Sequence, residues 1–80
     1  MIIQFSVVPF RRKDDGTLKA GEVFDMPDFH AARRFAEALM LVREVVGAVV
    51  TERAGEVAGS GPTPRLLEKY GEVDLQALAG

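Results

Sequence analysis

The sequence predicts an α+β fold: a two-layer sandwich in which one long helix covers a mostly antiparallel sheet of three to four strands, with a short C-terminal helix. Three observations predict it. Apolar and polar residues alternate near the start, as in a strand with one buried face. An Asp-Gly pair at 15–16 is typical of a hairpin, and apolar residues recur with a helical period between 28 and 44. Eighty residues accommodate one core, so we predict a single domain over 1–71 and a C-terminal tail over 72–80.

The N-terminal hairpin begins with a strand predicted from the alternation over residues 3–8. Pro9 has no amide hydrogen, so it indicates an edge position or a bulge at this point. Asp15-Gly16 supplies the positive φ angles of a tight type I′ turn. The second strand is predicted over 17–24, and Gly21 within it indicates a second bulge or a close approach of two backbones.

The main helix is predicted to begin within residues 25–28, where an aspartate can cap it and Pro27 fits the first turn. It is predicted to run to about Glu44. Alanine dominates its apolar face, so the helix can lie close to the sheet, with Phe35 and Leu39 entering the core. The residues of this face are Ala31, Ala32, Phe35, Ala36, Leu39 and Val42.

The C-terminal half is predicted to contain one or two strands and a short helix. Gly47 is interpreted as the stop of the main helix. Residues 48–53 are rich in β-branched side chains and predict a third strand, and Val57-Ala58 could supply a short fourth strand. The segment from Pro64 to Tyr70 begins with proline and is followed by glycine, a pattern that favours a short helix.

Composition excludes several classes of protein. The chain has no cysteine, so it has no disulfide, no thiolate zinc site and no cysteine nucleophile, and a short chain without such links fits a reducing cytoplasm. No apolar run approaches the roughly 18 residues of a membrane span. The net charge is −2, so long-range attraction to nucleic acid or anionic lipid is not expected. No motif indicates a cofactor.

Several short motifs are distributed over most of the chain. They are Pro9-Phe10-Arg11-Arg12, Asp15-Gly16, Ala20-Gly21-Glu22, the alanine-rich helix, Gly47-Ala48-Val49, Arg53 and Tyr70-Gly71-Glu72-Val73. In these motifs the chain resembles a group of short uncharacterised bacterial proteins, chiefly from proteobacteria. The motifs are turns, packing residues and a few arginines, so the resemblance implies the fold and a bacterial origin and implies no activity.

Our leading functional hypothesis is a small cytoplasmic protein-interaction or regulatory module that forms a homodimer. A chain of this size buries little apolar surface, and dimerisation would compensate for that. Pro9 is expected near an available sheet edge. Leu41 and Val45 fall outside the main apolar stripe of the helix, so Leu41 is a candidate contact residue.

Two alternatives remain open from the sequence. The first is weak binding of nucleic acid through phosphate contacts from five cations: Arg11, Arg12, Lys13, Arg33 and Arg34. Nearby acidic residues, including Asp14, Asp15, Glu37 and Glu44, oppose this interpretation. The second alternative is a small enzyme centred on His30, with Asp25 or Asp28 as its partner. No catalytic constellation and no metal-ligand cluster is visible, so we do not predict an enzyme.

Overall fold

The computed structural model describes residues 2–55 and 65–76, which form five strands and one helix. The elements are β1 (Ile2–Arg12), β2 (Leu18–Ala20), β3 (Phe24–Met26), α1 (Phe29–Leu39), β4 (Val45–Gly55) and β5 (Arg65–Gly71). The strands form one antiparallel sheet with the order β2-β1-β4-β5, and β3 pairs with β1 on the same side as β2. The single helix packs against this sheet. The predicted α+β class is therefore confirmed.

Pro9 lies inside the central strand β1, where it is buried and pairs with Ala48 of β4. Of the two predicted alternatives, the edge position is wrong, whereas an irregularity does occur nearby, since the register of β1 with β4 shifts between Phe10 and Arg11. The Pro9 carbonyl accepts a hydrogen bond from the amide of Gly21 at 2.8 Å. Because the nitrogen and the carbonyl of one strand residue point to the same side, the Pro9 nitrogen faces the break between β2 and β3. The sheet therefore tolerates the amide hydrogen that Pro9 lacks. The irregularity predicted at Gly21 divides the expected strand 17–24 into two strands, β2 and β3.

The hairpin turn is a three-residue loop instead of the predicted two-residue type I′ turn. The amide of Gly16 donates to the carbonyl of Lys13 at 2.9 Å, and the amide of Lys13 donates to the carbonyl of Thr17 at 2.7 Å. Gly16 has φ +89°, whereas no described residue other than glycine has a positive φ. Asp15 instead accepts two hydrogen bonds from Thr17, one from its amide and one from its hydroxyl. This is the turn followed by a glycine bulge that three-residue hairpins favour.

The predicted aspartate cap of α1 is confirmed, because the Asp28 carboxylate accepts a hydrogen bond from the amide of Ala31 at 2.7 Å. Pro27 precedes this cap and does not lie in the first turn, so that part of the prediction is wrong. Ala32 and Ala36 are fully buried against the sheet. The helix ends at Leu39, well before the predicted end at Glu44. At this end the hydrogen bonds change to the i→i−3 pattern of a 3₁₀ turn. The chain must then reach Val45, which already pairs with β1.

The side chains of the predicted apolar face mostly lie where they are expected. Phe35 and Leu39 are partly buried and pack against the core, and the Phe35 ring lies 5.0 Å from the ring of Phe24. Val42 is the exception, since it lies beyond the helix and is exposed. The alanine-rich face therefore brings the helix close to the sheet, as the sequence predicts.

Gly47 is a strand residue and does not stop the helix. A Cβ atom at this position would overlap the carbonyl group of Glu72, so glycine lets the backbone that follows β5 lie directly against β4. The third strand is also longer than predicted, because β4 runs from Val45 to Gly55 and pairs with β1 along nearly its whole length. Val57-Ala58, predicted as a short fourth strand, lies outside the described residues.

The predicted helix over Pro64–Tyr70 is wrong. Its described part, from Arg65 onward, is strand β5, which pairs with β4. Leu66 lies opposite Thr51 and Glu68 lies opposite Val50, so Leu67 is an extra residue that forms a bulge. The edge of β4 that faces away from β1 has backbone groups that can form hydrogen bonds, and β5 pairs with this edge.

The sheet is apolar on both faces. The cluster on the helix side consists of Val7, Ala32, Ala36, Ala48 and Val50. A second cluster on the opposite face consists of Val8, Phe10 and Val49, with Leu18, Ala20, Val46 and Val73 packed around it. The expectation of one buried face on the first strand is therefore wrong. Val73 lies in the predicted C-terminal tail, and its contact joins the start of that segment to the sheet.

Candidate functional site

An open groove lies on the helix side of the sheet, at the end where α1 begins. Its volume is about 400 Å³. Three strands and the first turn of the helix enclose it. The side chains that line it are Phe5, Phe29, Glu52, Arg65, Leu67 and Glu68.

The floor of the groove is apolar. Phe29 is the first residue of α1, and its ring lies 6.3 Å from the ring of Phe5 on β1 at a tilt of 49°. Leu67 is brought to the same side by the bulge in β5. Phe29 keeps 36% of its surface exposed. Ile3, two residues before Phe5 and therefore on the same face of β1, keeps 55% exposed. Solvent therefore reaches apolar side chains both in the groove and beside it on β1.

The rim of the groove is polar, and its charges are paired. An Arg65 guanidinium nitrogen lies 3.6 Å from a carboxylate oxygen of Glu52. Glu68 is 3.4 Å from the Arg33 Nε atom of α1 and accepts a 2.8 Å hydrogen bond from the hydroxyl of Tyr70. Burial, followed by this bond to a carboxylate, raises the pKa of the Tyr70 phenol above its ordinary value. The rim residues therefore orient one another and add no net charge.

No protein family model, no curated protein and no solved structure matches this chain. Function must therefore be inferred from the geometry of the groove and of the neighbouring surfaces. The bacterial resemblance of the sequence remains a prediction. In the part of the chain that the structure describes, no helix is both long and apolar enough to cross a membrane.

Two of the five predicted phosphate-binding cations are held in ion pairs. A guanidinium nitrogen of Arg12 lies 2.6 Å from the Glu72 carboxylate, and another donates to the carbonyl of Gly16 at 2.8 Å. This contact holds the pKa of the Glu72 carboxyl below its ordinary value. Arg33 is engaged by Glu68 at the groove. The other three cations, Arg11, Lys13 and Arg34, are exposed.

The structure does not bring the two groups of cations together. Helix α1 begins beside Phe5, whereas Lys13 follows the far end of β1. The rise of a strand and of a helix places Arg33 roughly 20 Å from Lys13 along the molecule. A single phosphate-binding patch would need the two groups side by side. Binding of nucleic acid stays a prediction without a continuous surface to support it.

The structure does not bring together the three residues of the alternative enzyme hypothesis. His30 is exposed on the first turn of α1 and does not line the groove. Asp25 accepts a 3.0 Å hydrogen bond from the hydroxyl of Ser6, and Asp28 caps the helix. Within residues 2–55 and 65–76, no three side chains of the metal-binding types are close enough to hold an ion.

The predicted contact residue Leu41 is 87% exposed, immediately after the helix. Val45, proposed with it, is buried in β4 and is not available as a contact, which corrects that expectation. The sequence pattern does not indicate Ile3 or Phe29 as contact residues. Phe29 could have been noticed as an apolar residue directly after a capping aspartate, but its pairing with Phe5 depends on the sheet topology.

Proposed function

We propose that this chain is a small protein-interaction module that binds an apolar segment of a partner protein in the groove. One observation carries the proposal: the floor formed by Phe5, Phe29 and Leu67 is open to solvent and is extended by exposed Ile3. Exposed apolar side chains grouped beside a polar rim are typical of protein contact sites. We further propose that the domain is a two-layer sandwich and that it acts in the cytoplasm.

The shape of the groove favours a protein segment over a small molecule. Small-molecule sites usually bury about 70–90% of the ligand, which requires a deeper enclosure than this open surface. The volume of about 400 Å³ is itself within the range of small-molecule sites, so the openness of the groove is what favours a protein segment, which would place large apolar side chains there. Because Arg65 and Glu68 are already paired, the rim favours an uncharged anchor such as leucine or phenylalanine, with polar residues on either side.

The test uses peptides displayed on phage and selected on the immobilised full chain. Selected peptides are synthesised with a fluorophore, and their affinity is measured by fluorescence anisotropy for the wild type and for Phe29→Asp. The substitution removes the apolar floor, and aspartate is favourable in the first turn of a helix, so α1 is retained. Leu41→Asp is the matched control, since it places the same charge on an exposed apolar residue elsewhere.

We expect the selected peptides to share a large apolar anchor and to bind Phe29→Asp at least roughly tenfold more weakly, which corresponds to about 1.4 kcal/mol. Leu41→Asp should bind them like the wild type. Circular dichroism checks that both variants are folded. Selection of no peptide, or equal affinity for the wild type and Phe29→Asp, would overturn the proposal.

A further inference from the structure

The outward face of α1, together with the turn that follows it, forms a ridge of four exposed residues: His30, Arg34, Glu37 and Leu41. Their spacing of four, three and four residues places them along one line on the helix surface and its last turn. This line lies opposite the buried alanines of the helix. Leu41 at its end is the most exposed of the large apolar residues described.

The ridge is complementary to itself in an antiparallel arrangement. Consider two antiparallel copies of α1 related by a twofold axis that lies between the helices, level with the Phe35–Ala36 peptide. Arg34 of one copy then lies opposite Glu37 of the other. The same axis places His30 opposite Leu41. Each contact occurs twice, as a twofold interface requires. The ridge carries one cation and one anion at positions that exchange under the symmetry, so its charge pattern matches a second copy.

Within residues 2–55 and 65–76, neither residue of this charged pair forms a salt bridge, although Glu37 is close enough to Tyr70 of β5 to contribute to the raised pKa of its phenol. The salt bridges found within residues 2–55 and 65–76 use Arg12, Arg33 and Arg65 as cations. Arg33, the neighbour of Arg34, is turned towards β5 and bound to Glu68. Both side chains are exposed and free of salt bridges, so they can make contacts across the twofold axis.

We propose that two copies of this chain associate through the α1 ridge as an antiparallel pair of helices. The interface is small, because an eleven-residue helix is only about 16 Å long, and a standard stable interface buries about 800 Å² on each partner. The dimer is therefore weak and depends on concentration, with a dissociation constant in the micromolar range or above. The ridge is distinct from the groove, so this dimer does not depend on the proposed function.

The test is sedimentation velocity of the full chain over roughly 5 to 500 µM, a range that brackets a micromolar dissociation constant. Arg34→Glu and Glu37→Arg each place like charges opposite one another twice in the dimer, and each should weaken it roughly tenfold. The double variant Arg34→Glu/Glu37→Arg restores opposite charges and should recover the wild-type dissociation constant. Arg11→Glu, a charge reversal at the end of β1, is the matched control and should leave it unchanged.

Phe29→Asp should also leave the dimer intact, which separates this interface from the groove. A wild-type chain that stays monomeric over the whole range would overturn the proposal. So would a dimer that is insensitive to the single reversals, or one that the double variant does not restore. Thermal unfolding followed by circular dichroism confirms that each variant is folded, so a loss of the dimer reports on the interface.

Discussion

Replacing Phe10 with alanine tests whether the helix-free face of the sheet carries a true core. Phe10 is fully buried on that face, in the same cluster as Val8 and Val49. Its cross-strand partners are Gly47 on β4 and Ala20 on β2, and neither has a side chain that can fill the space left by the ring. The cavity should therefore persist, and the cost should lie in the upper part of the usual range of about 3–5 kcal/mol.

This cost is large for a chain of 80 residues, whose total stability is expected to be about 4–12 kcal/mol. Urea unfolding followed by far-ultraviolet circular dichroism measures it, and Phe29→Ala is the matched control. Because Phe29 is partly exposed, its replacement should cost less than about 2 kcal/mol. If Phe10→Ala cost no more than Phe29→Ala, the second cluster would not contribute to the core, and the reasoning above would fail.

Three further predictions follow from local contacts. Gly47→Ala should destabilise the chain by about 1–3 kcal/mol, because a methyl group there displaces the Glu72 backbone; hydrogen exchange of the Glu72 amide, which bonds to the strand, should accelerate. Asp28→Ala removes the cap at Ala31 and should cost about 0.5–2 kcal/mol in urea unfolding, whereas Asp28→Asn should cost less. Glu72→Gln should be less stable than the wild type above pH 4.5, the ordinary pKa of the carboxyl. Because Arg12 lowers that pKa in the folded state, the difference should disappear as the pH falls through the lowered value; a constant difference down to acid pH would contradict the pairing.

The incorrect prediction of a helix over Pro64–Tyr70 is explained by the bulge in β5. An extra residue at Leu67 turns both Leu67 and Tyr70 towards the helix, so apolar residues three positions apart share one face of a strand. A spacing of three is typical of a helix. The preceding proline and the glycine that follows reinforce that interpretation. The sequence does not encode locally that β4 has a free side for pairing, and the pairing with β4 outweighs the local pattern.

The helix shows which part of the fold can be predicted locally. Its start depends on one side chain, Asp28, and on the amide of Ala31, so an aspartate cap can be predicted from the sequence, although Pro27 lies before the cap and not in the first turn. Its end depends on the tertiary structure: Val45 pairs with Arg11 of β1, and the helix must stop in time for the chain to reach it. Nothing in residues 40–44 breaks a helix by itself, so the predicted end was several residues late.

The groove could not be predicted from spacing, since Phe5 and Phe29 belong to different elements and meet only in the folded chain. Leu41 was identified correctly as an exposed apolar residue, because helical periodicity alone places it away from the core. Sequence periodicity thus reports which face of one element is buried. It does not report which elements lie beside one another, and a site formed between elements depends on that arrangement.

The two sheet edges bear on how a partner can bind. In the described residues, β5 forms one edge, and it carries a bulge at Leu67 and the exposed cation Lys69. The other edge consists of β2 and β3, which have three residues each. Bulges, lysines and short strands all oppose pairing with a strand from another chain. Pro9, which the sequence analysis assigned to an available edge, lies in the sheet interior and no longer supports edge pairing. Contacts made by side chains, in the groove and on the α1 ridge, therefore fit this chain better than extension of its sheet.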